Sequence, residues 1–175
     1  AANAETFGVE LDVKKNLDFI GLRGLSFVCN AAYIYSRVRF EEGAPERDRP
    51  LAGQSPYLVN AGFFYQYDDK GISASLLYNR IGKRIESVGV PMQNQDEDIP
   101  DIYEMPRNSL DLTFSKKIGK IVEIKAGIQD ILNSKVEYKQ FVKLTDDKGG
   151  KSEREQLILS YRPGVDINIG VSLRF

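Results

Sequence analysis

The sequence predicts an all-β fold in which about seven antiparallel strands run up and down in chain order. Three observations predict it. Apolar residues recur at every second position, short turns alternate with long polar loops, and the aromatic residues are nine Tyr and nine Phe with no Trp. A period of two belongs to a strand with one apolar and one polar face, and Tyr and Phe favour strands.

The last segment has the clearest alternation. Its apolar positions are Val165, Ile167, Ile169, Val171, Leu173 and Phe175. The residues between them are Asp166, Asn168, Gly170, Ser172 and Arg174. The same repeat upstream predicts seven strands in all, at about 3–15, 24–41, 55–68, 71–86, 107–118, 121–143 and 157–175.

The connections alternate in length along the chain. Tight turns are predicted at 68–71 and 117–120 and a modest one at 16–23, whereas polar loops are predicted at about 42–54, 87–106 and 144–156. Short turns at one end and long loops at the other are typical of outer-membrane β-barrels. With the C-terminus on the periplasmic side, every long loop faces outward.

Composition excludes several classes of protein. The 24 Lys and Arg against 25 Asp and Glu argue against nucleic-acid binding, which needs a basic surface. The absence of His and the single Cys29 exclude His catalysis, a disulfide framework and a Cys/His zinc site. No nucleophile motif or phosphate-binding glycine loop is present. We therefore expect no enzyme activity, cofactor or metal.

Helical membrane spans are not expected either, because no run of about 18 apolar residues occurs. A transmembrane antiparallel up-and-down barrel remains compatible, since its lipid-facing and lumen-facing residues alternate. Seven strands are odd in number and too few to close a barrel, and lipid does not tolerate open edges. We therefore expect further strands N-terminal to Ala1, with this chain as the C-terminal part of a larger barrel.

The final eight residues resemble the C-terminal assembly signal of outer-membrane proteins. The specified positions of that signal are matched by Asn168, Gly170, Leu173 and Phe175. An exposed terminal strand can pair with the insertion machinery by strand addition. The resemblance implies that this machinery is a partner and that the protein resides in the Gram-negative outer membrane.

Three further stretches resemble TonB-dependent receptors. They are 49–57 followed by Val59-Asn60-Ala61-Gly62, the segment Ile128-Gln129-Asp130-Ile131-Leu132-Asn133, and Arg162-Pro163-Gly164 before the last strand. Asp130 stands where the family often has Asn, and Arg162 precedes its Pro rather than following Gly. The resemblance implies the last third of a receptor with a 22-stranded barrel.

The family also implies an N-terminal plug domain and a TonB-contacting segment, both outside this sequence. Its members import a ligand such as a siderophore, cobalamin, glycan or peptide, with energy supplied through TonB. The implied partners are the lipid bilayer, the plug, the earlier strands and TonB, and a surface lipoprotein is a further candidate. No nucleic acid is expected.

Ligand contact is expected in the outer loops rather than on the strands. The candidates, chosen by location, are Arg47, Arg49, Gln54, Gln93, Asn94 and Tyr103. The acidic segment Asp96, Glu97, Asp98 and Asp101 could hold calcium, but a solvated loop is the favoured interpretation. Charges on the polar strand faces are expected to contact solvent or plug; they are Glu10, Asp12, Lys14, Glu123, Lys125, Asp166 and Arg174.

The apolar strand faces are expected to contact lipid. The aromatic residues expected at the membrane interfaces are Tyr33, Tyr35, Tyr57, Tyr65, Tyr67, Tyr78 and Phe175. Two alternatives stay open. One is a smaller porin-like or adhesion barrel, and the other is a soluble β-sandwich or lipid-binding barrel, whose apolar faces would pack against one another.

Overall fold

The computed structural model describes residues 3–92, 98–145 and 151–174. Strand makes up 67% of the structure and helix 4%, and all strand pairs are antiparallel. The predicted all-β class is therefore confirmed. The described part of the chain has two single-turn 3₁₀ helices, at Asp18–Ile20 and Asp68–Lys70. Within the described residues, no helix has the length and apolar character needed to cross a membrane.

The main sheet has seven strands in chain order. It contains β1 (Asn3–Asn16), β2 (Leu25–Arg39), β3 (Tyr57–Tyr67), β4 (Ile72–Ile81), β7 (Arg107–Ile118), β8 (Val122–Gln129) and β11 (Asp166–Leu173). Four shorter strands form a second sheet: β5 (Arg84–Ser87), β6 (Ile102–Glu104), β9 (Val136–Thr145) and β10 (Lys151–Tyr161). The second sheet is ordered β5-β6-β9-β10. This order matches that of β4, β7, β8 and β11, each of which is the chain neighbour of the corresponding strand in the second sheet.

Three of the seven predicted strands are interrupted, so the prediction of continuous strands at 71–86, 121–143 and 157–175 is wrong. The first breaks at Gly82, whose N–H donates to Tyr57 O at 3.0 Å. The second breaks at a turn where Asp130 and Asn133 have φ of 51° and 44°, a conformation that Asp and Asn tolerate. The third breaks at Pro163, which has no N–H, and Gly164, at φ 95°.

The predicted loop at 144–156 is also wrong in its described part. Strands β9 and β10 pair from Thr145 opposite Lys151 to Val136 opposite Tyr161. The polar composition of this segment predicts a loop, but polar and charged side chains also suit an exposed strand, and residues 152–155 are all exposed. The predicted loop at 87–106 similarly contains β6 and an isolated bridge between Val90 and Ile99.

The short turns lie where they are predicted. Gly71 closes the turn after β3 in the left-handed conformation, at φ 59°, and its N–H donates to Asp68 O at 2.9 Å. Gly119 has φ 62° in the turn between β7 and β8. Glycine adopts this conformation without the steric cost that a Cβ brings.

Strand register gives the main sheet one apolar and one polar face. Val13, Cys29, Ala61, Tyr78 and Leu110 are successive partners across β1, β2, β3, β4 and β7. The neighbouring row, one residue along each strand, consists of Asp12, Asn30, Asn60, Asn79 and Ser109. We call these two sides the apolar face and the polar face. The charged residues that the sequence assigns to the polar side share the polar face by register.

The apolar face is uncovered. Among the described residues the buried apolar side chains are Val38, Ile85 and Val136, all outside the middle of this face. By contrast Val9 is 75% and Ile169 is 77% exposed. The second sheet extends the first instead of packing on it, so among the described residues no core forms between the two sheets.

Candidate functional site

A cleft of about 740 Å³ lies beside the second sheet, and we call it the loop cleft. Residues 46–50 form one wall, residues on both sides of the Val90–Ile99 bridge form a second, and the ends of β9 and β10 form the third. Its volume is within the range of small-molecule binding sites. The cleft lies at the long-loop end of the main sheet.

Ion pairs and backbone hydrogen bonds hold the walls in place. Arg47 contacts Asp98 at 2.5 Å and so joins the first wall to the second. Asp48 accepts from Arg37 at 3.0 Å, and the N–H of Arg49 donates to Val38 O at 3.2 Å. The loop at 46–50 is therefore tethered to β2 and joined to the second wall.

The second wall depends on a close backbone approach at Gly89. Its N–H donates to Asp101 Oδ1 at 2.8 Å. A Cβ at this position would lie 1.9 Å from Ile99 O, so only glycine fits here without moving the backbone. The two acidic residues of this wall, Asp98 and Asp101, are therefore occupied by an arginine and a backbone amide.

Two aromatic rings line the cleft, one from β6 and one from β9. Tyr103 and Phe141 meet edge to face with ring centroids 5.7 Å apart. Lys83 Nζ lies 4.3 Å from the Tyr103 ring centroid and 4.0 Å from that of Phe141, a cation–π arrangement. Burial, together with the carboxylate of Asp101, raises the pKa of Tyr103.

The cleft offers both signs of charge beside aromatic and proline surfaces. Arg49 and Lys143 supply positive charge, while Glu46 and Glu153 supply negative charge. Pro50, Pro91 and Pro100 supply rigid apolar surface. Such a lining suits a polar organic ligand that carries several hydrogen-bonding groups.

The structure brings three of the predicted ligand-contact residues together. Arg47, Arg49 and Tyr103 all line the loop cleft. Gln54 does not line it; its side-chain amide donates to Ser55 O at 3.0 Å. Gln93 and Asn94 lie outside the described residues. The assembly-signal residues Asn168, Gly170 and Leu173 lie in β11, which is exposed along its whole length, and Phe175 is outside the described residues.

Sequence reasoning missed Phe141, Lys143 and Glu153 as cleft residues. Phe141 and Lys143 fell at the end of a predicted strand, and Glu153 in a predicted loop. Four of the five residues from 151 to 155 are charged, so this segment carries no alternation that would have predicted a strand.

A connected row of polar side chains crosses the polar face. Asn30 Nδ2 donates to Glu10 Oε1 at 2.6 Å and to Asp12 Oδ1 at 2.8 Å. Asn60 and Asn79 extend the row across β3 and β4. Hydroxyl pairs continue the polar face across β4 and β7, with Ser75 and Thr113 at 2.6 Å. These polar side chains are therefore hydrogen-bonded to one another, and the apolar residues Phe64 and Leu77 share their face by register.

The apolar face carries one polar cluster near its loop end. Arg80 Nε donates to the Tyr57 hydroxyl at 3.3 Å, and Arg80 Nη1 donates to Asn108 Oδ1 at 2.7 Å. The Tyr78 hydroxyl donates to the same Asn108 oxygen at 2.8 Å. Tyr33 pairs with Tyr57 in the register of β2 and β3. Tyr65 and Tyr67 lie at the other end of this face, beside the short turn at 68–71.

No known protein family, curated protein or solved structure matches the chain.

Proposed function

We propose that this chain forms part of the wall and outer loops of a Gram-negative outer-membrane β-barrel. We further propose that the barrel belongs to a TonB-dependent receptor that imports a ligand. The observation that carries the proposal is the continuous exposed apolar face opposite a hydrogen-bonded polar face. In water this apolar face would favour aggregation. In a barrel wall the same face contacts lipid and the polar face lines the lumen.

Strand dimensions support the membrane assignment. On the apolar face of β2 the nonpolar and aromatic positions run from Leu25 to Tyr35, and Arg37 and Arg39 follow. At about 3.3 Å per residue and a tilt of about 40°, this stretch spans about 25 Å, the height of the apolar band of such barrels. Tyr33 and Tyr35 then lie at the interface, where tyrosine is favoured.

The sheet edges also support a larger barrel. Strand β1 pairs only with β2, and β11 pairs only with β8, among the described residues. Each therefore presents one unpaired edge, and lipid requires such edges to be satisfied by further strands. We propose that earlier strands of the same protein close the barrel through these two edges, as the resemblance to TonB-dependent receptors implies.

The loop cleft supports the receptor function over a simple pore. Its walls come from two long loops and a hairpin, and they are tethered by ion pairs. We propose that it forms part of the outer surface that receives the imported ligand. A plug domain, TonB, the assembly machinery and a surface lipoprotein remain proposed partners. A smaller porin-like or adhesion barrel would need no such tethered cleft.

The test is an intact mass and a conductance measurement on the protein purified from its native membrane. We expect a mass several-fold above 19.7 kDa, recovery from the outer-membrane fraction only with detergent, and little conductance in a planar bilayer, because a plug closes the lumen. A steady open channel would contradict the receptor and support the porin-like alternative. Release without detergent would contradict the barrel and support the soluble alternative.

A further inference from the structure

Arg80 is a charged residue on a face that is otherwise built to be apolar. It follows Ile72, Ala74, Leu76 and Tyr78 in the alternation of β4, and its register partners are Val59 and Asn108. The guanidinium lies 6.0 Å from the centroid of the Tyr57 ring. A permanent charge at the margin of an apolar face needs a compensating partner.

The other arginines on this side of the sheet have such partners. Arg37 contacts Asp48 at 3.0 Å, and Arg39 contacts Glu5 at 3.4 Å. For Arg80, no carboxylate of the described chain lies within the 4.0 Å that defines these ion pairs. Its neighbours Tyr57 and Asn108 are neutral hydrogen-bond acceptors, so they orient the guanidinium and leave its charge unbalanced.

Donor capacity at Arg80 also remains open. A guanidinium has five N–H donors in a planar fork. The bonds to Tyr57 and Asn108 use one N–H on Nε and one on Nη1. Tyr78 is a further side-chain hydrogen-bond partner of the guanidinium. Two donors thus remain, within the described surroundings, for a partner that approaches from the membrane side. A phosphate matches this geometry, because arginine binds phosphate oxygens in a bidentate manner.

We propose that Arg80, held by Tyr57, Tyr78 and Asn108, binds the phosphate of an anionic lipid in the outer leaflet. This inference rests on the proposed function, which places the apolar face in lipid and the loop end outward. The two tyrosine rings flank the headgroup at interface depth, and the apolar positions of β4 contact the acyl chains. The site is selective for a lipid over a free anion because both parts contribute to binding.

The test uses the full-length protein in uncharged detergent micelles. Dioleoylphosphatidylglycerol is titrated against wild type, Arg80→Gln and the matched control Arg39→Gln, and bound lipids are counted by native mass spectrometry. We expect the dissociation constant for the first lipid to rise about fivefold in Arg80→Gln, the effect of one basic residue at an anionic membrane surface. Arg39→Gln should match wild type, since Arg39 is already paired with Glu5.

A second variant separates orientation from folding. Tyr57→Phe removes the hydroxyl that accepts from Arg80 and keeps both the charge and the ring, so we expect a smaller loss of lipid affinity than in Arg80→Gln. Equal affinity in wild type and Arg80→Gln would overturn the inference, as would equal losses in Arg80→Gln and Arg39→Gln. Inorganic phosphate that displaced the lipid at millimolar concentration would overturn the lipid assignment.

Failure of the proposed function gives a different result. Wild-type protein would then be absent from the detergent-extracted outer-membrane fraction, and both proposals would fall. If wild type is extracted from that fraction and binds the lipid while Arg80→Gln binds it equally, only the lipid site is refuted.

Discussion

Two adjacent alanines in β2 provide a matched pair for testing which face contacts lipid. Ala31 lies on the apolar face between Leu11 and Val59, whereas Ala32 lies on the polar face between Glu10 and Leu58. Lysine at position 31 would place a charge near the middle of the stretch from Leu25 to Tyr35. Lysine at position 32 would stand directly opposite Glu10.

The magnitudes follow from these positions. A lysine at the bilayer midplane of a barrel costs about 2–4 kcal/mol, which lowers the folding equilibrium constant by about 30- to 1,000-fold. A lysine opposite Glu10 is expected to change stability by less than about 1 kcal/mol, because a cross-strand pair of opposite charges is slightly favourable. The two variants share the starting residue, the strand and the added side chain.

The assay is urea unfolding of the full-length protein refolded into phosphatidylcholine vesicles, followed by the heat-dependent gel shift of folded barrels. Ala31→Lys should unfold at clearly lower urea than wild type, and Ala32→Lys should unfold close to it. If Ala31→Lys were as stable as Ala32→Lys, the apolar face would not be in lipid. If Ala31→Lys instead made the protein soluble without detergent, a water-exposed face would be indicated.

Three other perturbations test the local structure. Gly24→Ala should destabilise the protein by clearly more than the roughly 1–2 kcal/mol that an alanine in the left-handed conformation costs, because its Cβ would clash with a backbone carbonyl of β3. The control variant Gly21→Ala has open space around its Cβ and should cost only that amount. The denaturant midpoints of the two variants check this. Tyr103 keeps its proton to higher pH in the folded state, since burial and Asp101 raise its pKa. Above pH about 10 the folded state therefore binds more protons than the unfolded state, so the free energy of unfolding should fall as pH rises there. Asp101→Asn should lower the Tyr103 pKa in a ¹³C-tyrosine NMR titration. Ile85 is 1% exposed, so Ile85→Ala should cost about 2–5 kcal/mol, and an unchanged melting temperature would contradict its buried environment.

Strand alternation allowed much of the main sheet to be predicted. In β11 the apolar residues from Ile167 to Leu173 occupy every second position. A pairing register wrong by one residue would move all of them to the other face of the sheet, so the alternation indicates which face each residue occupies. The sheet order, its faces and its short turns could therefore be derived from local pattern. The break at Gly82 could not be predicted, because it depends on a hydrogen bond to Tyr57, which is 25 residues away in sequence.

The loop cleft was predictable only in part for the same reason. Arg47, Arg49 and Tyr103 were expected at the outer end from loop position alone. Their meeting with Phe141 and Glu153 depends on pairing between β6, β9 and β10. Such pairing between distant segments is set by tertiary context, which composition and periodicity do not encode. Arg80 was not singled out, because an arginine in an alternating strand is unremarkable until its neighbours are known.

The most direct measurement of the central proposal uses Cys29, the single cysteine of the chain, on the apolar face opposite Val13 and Ala61. A nitroxide is attached there in the full-length protein in vesicles, with any cysteine outside residues 1–175 replaced by serine. Its collision rates with oxygen and with a water-soluble nickel chelate are compared with those of a label on Cys29→Ser, Ala32→Cys. We predict that the Cys29 label collides with oxygen and is shielded from nickel, while the label at position 32 is accessible to nickel. Nickel access at Cys29 equal to that at position 32 would contradict the assignment of the apolar face to lipid.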